Sequence, residues 1–132
     1  MIRNLRASLG TVAGAGLLAG AVVMTTGAPA QAAALGCTYP YVCLYNASQT
    51  KVGQFQDVTT DWQSFTRTDV YYAVNTRNDD VAYFRYSNGL TNCVAEGKAN
   101  TIWDLRSTYG PDVPPNGIRI ATESDCYPGT SE

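Results

Sequence analysis

Histidine is absent from the 132 residues. That absence excludes Ser-His-Asp and Cys-His catalysis, and every metal site that needs an imidazole. Charge is sparse at 15 % of residues, with 9 basic against 11 acidic side chains. There is no basic cluster, which argues against binding to a phosphate backbone. No Cys-x-x-Cys spacing occurs, so the 4 cysteines do not read as a zinc site. Beyond the first thirty-odd residues there is no long apolar run, charge block, low-complexity tract or linker.

The chain opens on a leader-like segment. Arg3 and Arg6 form a basic start, and Leu9 to Met24 is apolar and rich in Ala and Gly. Ala28-Pro29-Ala30-Gln31-Ala32-Ala33 follows, with Ala30-Gln31-Ala32 the best A-x-A match. This pattern predicts a secretory signal over residues 1–32 and a mature domain over 33–132. The alternative of a membrane anchor is disfavoured by the glycines and the small-residue end. Both basic residues of the leader would be lost, leaving a mature net charge of −4.

All 4 cysteines, Cys37, Cys43, Cys93 and Cys126, fall in the mature part. An even count in a short exported domain implies two disulfides. Three connectivities are possible. Proximity favours Cys37–Cys43, and Cys93–Cys126 then follows by elimination.

Short runs of strand formers alternate with turn signals. They are Val42–Tyr45, Val52–Asp57, Val70–Val74, Val81–Tyr86, Asn92–Ala95, Thr101–Leu105 and Ile118–Ala121. Ser87-Asn88-Gly89, Gly110-Pro111 and Pro114-Pro115-Asn116-Gly117 break them. Trp62–Thr68 is the one helical candidate, too short and β-branched to stand alone. The pattern predicts an all-β sandwich or small barrel in one domain. A weak internal echo points the same way. An offset of 41 residues superposes Tyr45 on Tyr86, Thr50 on Thr91, Thr60 on Thr101, Trp62 on Trp103 and Asn75 on Asn116. Such a period suggests a duplicated β-unit.

Several residue groups could carry chemistry, and each has a plainer reading. Asp57, Asp61, Asp69, Asp79 and Asp80 could supply a carboxylate pair. Asn78-Asp79-Asp80 reads better as a turn between strands. Tyr39, Tyr41, Tyr71, Tyr72, Tyr83 and Tyr86 could line a sugar-binding face, but tyrosine is also an ordinary strand residue. Asn46-Ala47-Ser48 matches a glycosylation sequon and reads as turn sequence.

The segment Cys37-Thr38-Tyr39-Pro40-Tyr41-Val42-Cys43-Leu44-Tyr45 resembles the start of the secreted actinobacterial metalloproteinase inhibitors. Phe84-Arg85-Tyr86 followed by Cys93-Val94 is similar to that family's second-half strand and the loop after it. Gly53-Gln54-Phe55, placed after Tyr45, resembles the crystallin spacing of an aromatic and a glycine. The resemblance covers most of residues 37–126. It implies a βγ-crystallin fold of two Greek keys, here about 37–76 and 77–126. It also implies a secreted, monomeric inhibitor of an extracellular peptidase. Such a protein is no enzyme and needs no cofactor, nucleic acid or membrane. The implied inhibitory loop is Asn92, Cys93, Val94 and Ala95, with Cys93-Val94 as the mock scissile bond and Val94 filling an apolar pocket. The chain departs from the crystallin calcium pattern, because Asn78-Asp79-Asp80-Val81-Ala82-Tyr83 lacks the two hydroxyl ligands. Tight calcium binding is therefore not expected. A crystallin-type module acting at cell walls is the alternative.

Overall fold

The computed structural model describes residues 33–126. The expected leader lies outside these residues. One 3₁₀ turn, Ala34–Gly36, precedes eight strands. These are β1 (Val42–Tyr45), β2 (Lys51–Phe55), β3 (Gln63–Ser64), β4 (Tyr72–Asn75), β5 (Val81–Tyr86), β6 (Thr91–Val94), β7 (Trp103–Asp104) and β8 (Pro115–Ala121). They form two four-stranded antiparallel sheets, ordered β2-β1-β4-β7 and β3-β8-β5-β6. The protein is all-β, as the β-branched and aromatic runs predict.

Trp62–Thr68, read as too short and β-branched to stand as a helix, forms none. Gln63 and Ser64 pair with Ile118 and Gly117 as β3. A segment this short takes its conformation from the strand beside it, not from its own propensity.

The third strand of each four crosses over. β3 joins β8, and β7 joins β4. Neither half can complete its sheet alone, so the halves are tied by backbone pairing as well as by packing. Between the sheets lies one core of Val42, Leu44, Ala73, Ala82, Phe84, Tyr86, Val94, Ile118 and Ile120, joined by Val70 and Leu105 from the connections. Burying a side chain of this size contributes roughly 1.5–3 kcal/mol. Tyr86 keeps its hydroxyl inside by donating to the Leu105 carbonyl at 2.8 Å. Burial pushes that hydroxyl's pKa up to about 12. The ring meets Tyr109 edge-on, with centroids 4.7 Å apart.

A repeat near forty residues is visible in the strand order, but not at the offset of the identities. Val42 and Leu44 occupy core positions in β1 that Ala82 and Phe84 occupy in β5, an offset of 40. Ala73 pairs with Trp103, and Ile118 pairs with Gln63, so Trp103 corresponds to Gln63 and not to Trp62. A slip of one residue flips a strand side chain to the other face. Tyr86 accordingly lies in the core between the sheets. Tyr45 lies on the outer side of the first sheet, with Cys37, Cys43 and Val74. There Ala33–Leu35 covers it, and its hydroxyl donates to the Leu35 carbonyl at 3.1 Å.

The disulfides are Cys37–Cys43 and Cys93–Cys126, separated by 6 and 33 residues. This is the connectivity that proximity favoured. The chain-entropy account assigns about 2 kcal/mol to the short loop and about 4 to the long one. Urea unfolding of the two double Cys→Ala variants should therefore rank Cys93/Cys126 as the costlier loss. A larger loss at Cys37/Cys43 would contradict that ranking.

Candidate functional site

The four residues Asn92–Ala95 straddle the end of an edge strand. Thr91–Val94 is β6, which pairs only with β5, in the register Tyr83 to Cys93 and Ala82 to Val94. Side chains alternate along it. Val94 points between the sheets and is 0 % exposed. Cys93 points outward into its disulfide. Asn92 lies at the rim, where its Nδ2 donates to Thr108 Oγ1 at 3.0 Å and its Oδ1 accepts from the Cys93 N–H at 2.8 Å. Ala95 is half-buried just past the strand. The expectation of Val94 on a loop, offering its side chain to a partner's pocket, meets a strand residue in the core instead. The Cys93-Val94 pair, which the resemblance implied as a presented bond, shows the alternation of a half-buried strand.

The exposed surface beside Cys93 is the segment that follows, residues 96–102. Gly97, Lys98, Asn100 and Ile102 are exposed, Ile102 at 39 %. Three backbone bonds hold the segment. The Gly97 N–H donates to the Arg77 carbonyl at 2.7 Å. The Ala99 carbonyl accepts from the Ala34 N–H at 2.7 Å, and the Lys98 carbonyl from the Thr101 N–H at 2.8 Å. Gly97 has φ +64°, a left-handed conformation that suits glycine.

Beneath it lies a polar support that sequence reasoning missed. Asn75 is 0 % exposed. Its Nδ2 donates to the carbonyls of Asp80 at 3.0 Å, Val94 at 3.3 Å and Ala95 at 3.2 Å. Its Oδ1 accepts from the Arg77 N–H at 3.0 Å. One amide thus joins the β4–β5 connection to the end of β6. No local signal marks Asn75, since its acceptors lie as far as twenty residues ahead. Asn75→Ala leaves several buried groups unpaired at about 1–3 kcal/mol each when fully orphaned. We expect a net loss of about 3 kcal/mol in urea unfolding. A loss below about 1 kcal/mol would mean that water replaces the amide.

The Asn78-Asp79-Asp80 run bends between β4 and β5. Asp80 is 5 % exposed and its carboxylate is engaged by the Arg77 guanidinium. That guanidinium also donates to the carbonyls of Pro40 at 3.1 Å and Gln56 at 2.9 Å. A calcium ion here would have to displace Arg77. Asp69 is paired with Arg67 at 2.6 Å, and this hydrogen bond holds its carboxyl below the usual range. Among the described residues, no three Cys, Asp or Glu side chains gather as a metal site. The sequon residue Asn46 serves as a turn, its Oδ1 accepting from the N–H groups of Ser48 at 3.0 Å and Thr50 at 2.9 Å. The tyrosines form no common row. Tyr86 is in the core, Tyr83 is 5 % exposed, and Tyr39 is 62 % exposed.

No family model matches this chain, and no curated protein or solved structure matches it.

Proposed function

We propose that this chain is a secreted peptidase inhibitor that acts as a rigid plug, with residues 96–102 as its contact segment. The carrying observation is the anchoring of that segment. The Cys93–Cys126 disulfide stands at its start, and its backbone is bonded at Gly97, Ala99 and Thr101. A pre-ordered segment loses little entropy when it enters a cleft. Two further features support the reading. The similarity of Cys37–Tyr45 to the secreted metalloproteinase inhibitors is one. The other is the strand order, in which β4 lies beside β1 and β8 beside β5 while β3 and β7 change sheets. That order suits a pair of Greek keys with exchanged third strands, the arrangement expected of a βγ-crystallin fold. Two disulfides are compatible with an extracellular, oxidising compartment.

The target class is a thermolysin-like zinc peptidase. A carbonyl of the exposed segment would approach the open position on the zinc, and Ile102 would enter an apolar pocket. The test is inhibition of one thermolysin-like and one subtilisin-like protease by the purified protein. Inhibition of the first is expected, weakened more than about tenfold by Ile102→Asp through an unpaired carboxylate in the pocket. Thermal melting of the variant should be unchanged, because Ile102 is already exposed. Failure of the parent protein to inhibit either protease would overturn the reading. Full inhibition by a folded Ile102→Asp would move the contact elsewhere.

A further inference from the structure

The outer face of the second sheet carries two arginines around one indole. Cys93, Tyr83 and Arg119 lie side by side across β6, β5 and β8. The Arg119 guanidinium sits 5.0 Å from the Tyr83 ring centre and 5.4 Å from that of Trp62. Arg85 also lies 5.4 Å from the Trp62 ring centre. It is held by Asn116 Oδ1 and Ser64 Oγ, each at 3.2 Å. Gly117 leaves the guanidinium room, because a Cβ there would meet Arg85 Nη2 at 3.3 Å. Among the described residues the ion pairs are Arg67–Asp69 and Arg77–Asp80, so neither Arg85 nor Arg119 is paired with a carboxylate. The Arg119 Nε–H is buried and meets no acceptor. In a chain of net charge −2, two guanidinium groups without an ion pair thus gather around one indole.

Arg119 also lines a groove of about 300 Å³, together with Val58, Thr60, Ala121, Thr122 and Glu123. The groove walls are tied together. Val58 bridges Ile120, and the Thr59 N–H donates to the Ile120 carbonyl at 3.1 Å. Its volume is at the small end for ligand sites, about the size for one ring and its substituents. The lining mixes an apolar patch, Val58 and Ala121, with the hydroxyls of Thr60 and Thr122 and the carboxylate of Glu123. A sugar ring has that duality, a C–H face and a hydroxyl edge. A guanidinium in the lining adds a partner for a carboxylate, in the planar two-bond geometry that arginine favours.

We infer that this groove binds a uronic acid unit of an acidic polysaccharide, with its carboxylate on Arg119 and its hydroxyls on Thr60, Thr122 and Glu123. Glu123 accepts from sugar hydroxyls, which a bare ion such as sulfate lacks, so the site selects an acidic sugar over a bare ion. The inference is independent of the peptidase-inhibitor reading, since residues 96–102 contribute nothing to the groove.

NMR titration of the purified protein tests it, with trigalacturonate, its fully methyl-esterified form and inorganic sulfate as probes. The side-chain N–H signals of Trp62 and Arg119 should shift and saturate with trigalacturonate. The ester, which keeps the rings and loses the charge, should bind at least about tenfold more weakly, as should sulfate. Arg119→Met should abolish the response. Because Arg119 also packs on two rings, Thr122→Val serves as a second variant, expected to fold normally and bind several-fold more weakly. Equal binding of the ester would overturn the role of Arg119. Equal binding of sulfate would reduce the groove to an anion site and overturn the sugar assignment. Absence of any shift with trigalacturonate would overturn the proposal outright.

Discussion

Val94→Asp abolishes folding at neutral pH. Val94 is 0 % exposed and belongs to the core between the sheets. On β6 it stands opposite Ala82, itself fully buried. None of the residues of that core carries a positive charge to pair with a carboxylate. An unpaired charge there costs several kcal/mol even after its pKa rises, and we expect about 5 or more. Domains of this size have about 5–15 kcal/mol in total. Circular dichroism at pH 7 should therefore show a largely unfolded chain. Val94→Ala provides the graded control, with a loss of about 2 kcal/mol from lost contacts and a cavity. A Val94→Asp protein that melts at the parent temperature would place Val94 at the surface and restore Cys93-Val94 as a presented bond.

Arg106→Met lowers stability by about 4 kcal/mol, the second largest effect expected. Arg106 is 8 % exposed and has no carboxylate partner among the described residues. Its guanidinium is satisfied by three carbonyls. Nε donates to Val70 at 2.8 Å, and the two terminal nitrogens donate to Pro111 and Thr68. Its charge also lies 4.5 Å from the centre of the Tyr71 ring. One side chain therefore fastens the connection before β4 to the one between β7 and β8. Methionine keeps most of the stem and volume but donates nothing. Replacing a whole buried ion pair by apolar groups can be neutral. Here the acceptors are backbone carbonyls, which cannot be replaced, so the loss of their hydrogen bonds stands. Arg106→Lys should retain part of the network and lose roughly half as much. Urea unfolding checks both. A loss below about 1 kcal/mol for Arg106→Met would show that the carbonyls find water.

These two residues mark how far sequence reasoning reached. Val42–Tyr45 and Val81–Tyr86 were legible as strands, because their β-branched and aromatic side chains favour a pleated surface. The turn at Asn46 is equally local, made by its own side chain. β3 was not legible, because Gln63 and Ser64 extend only through pairing with β8. Arg106 shows no sign in sequence of its burial, since two of its three acceptors lie more than thirty residues earlier. The Trp62 and Trp103 match gave a period close to the real one but the wrong equivalence, by one residue.

Composition and local pattern by themselves determined that this is an all-β domain of short strands without histidine chemistry, closed by two disulfides of the nearest-neighbour pairing. Those properties follow from residue types and spacings, which are local. Only the tertiary structure decided which face each strand shows, that β3 and β7 exchange sheets, that Val94 belongs to the core, and that Arg85 and Arg119 meet around Trp62. Each of these depends on pairing register between distant segments. Because side chains alternate on a strand, a change of one residue in register turns core into surface, and no single strand's sequence records its partner's register.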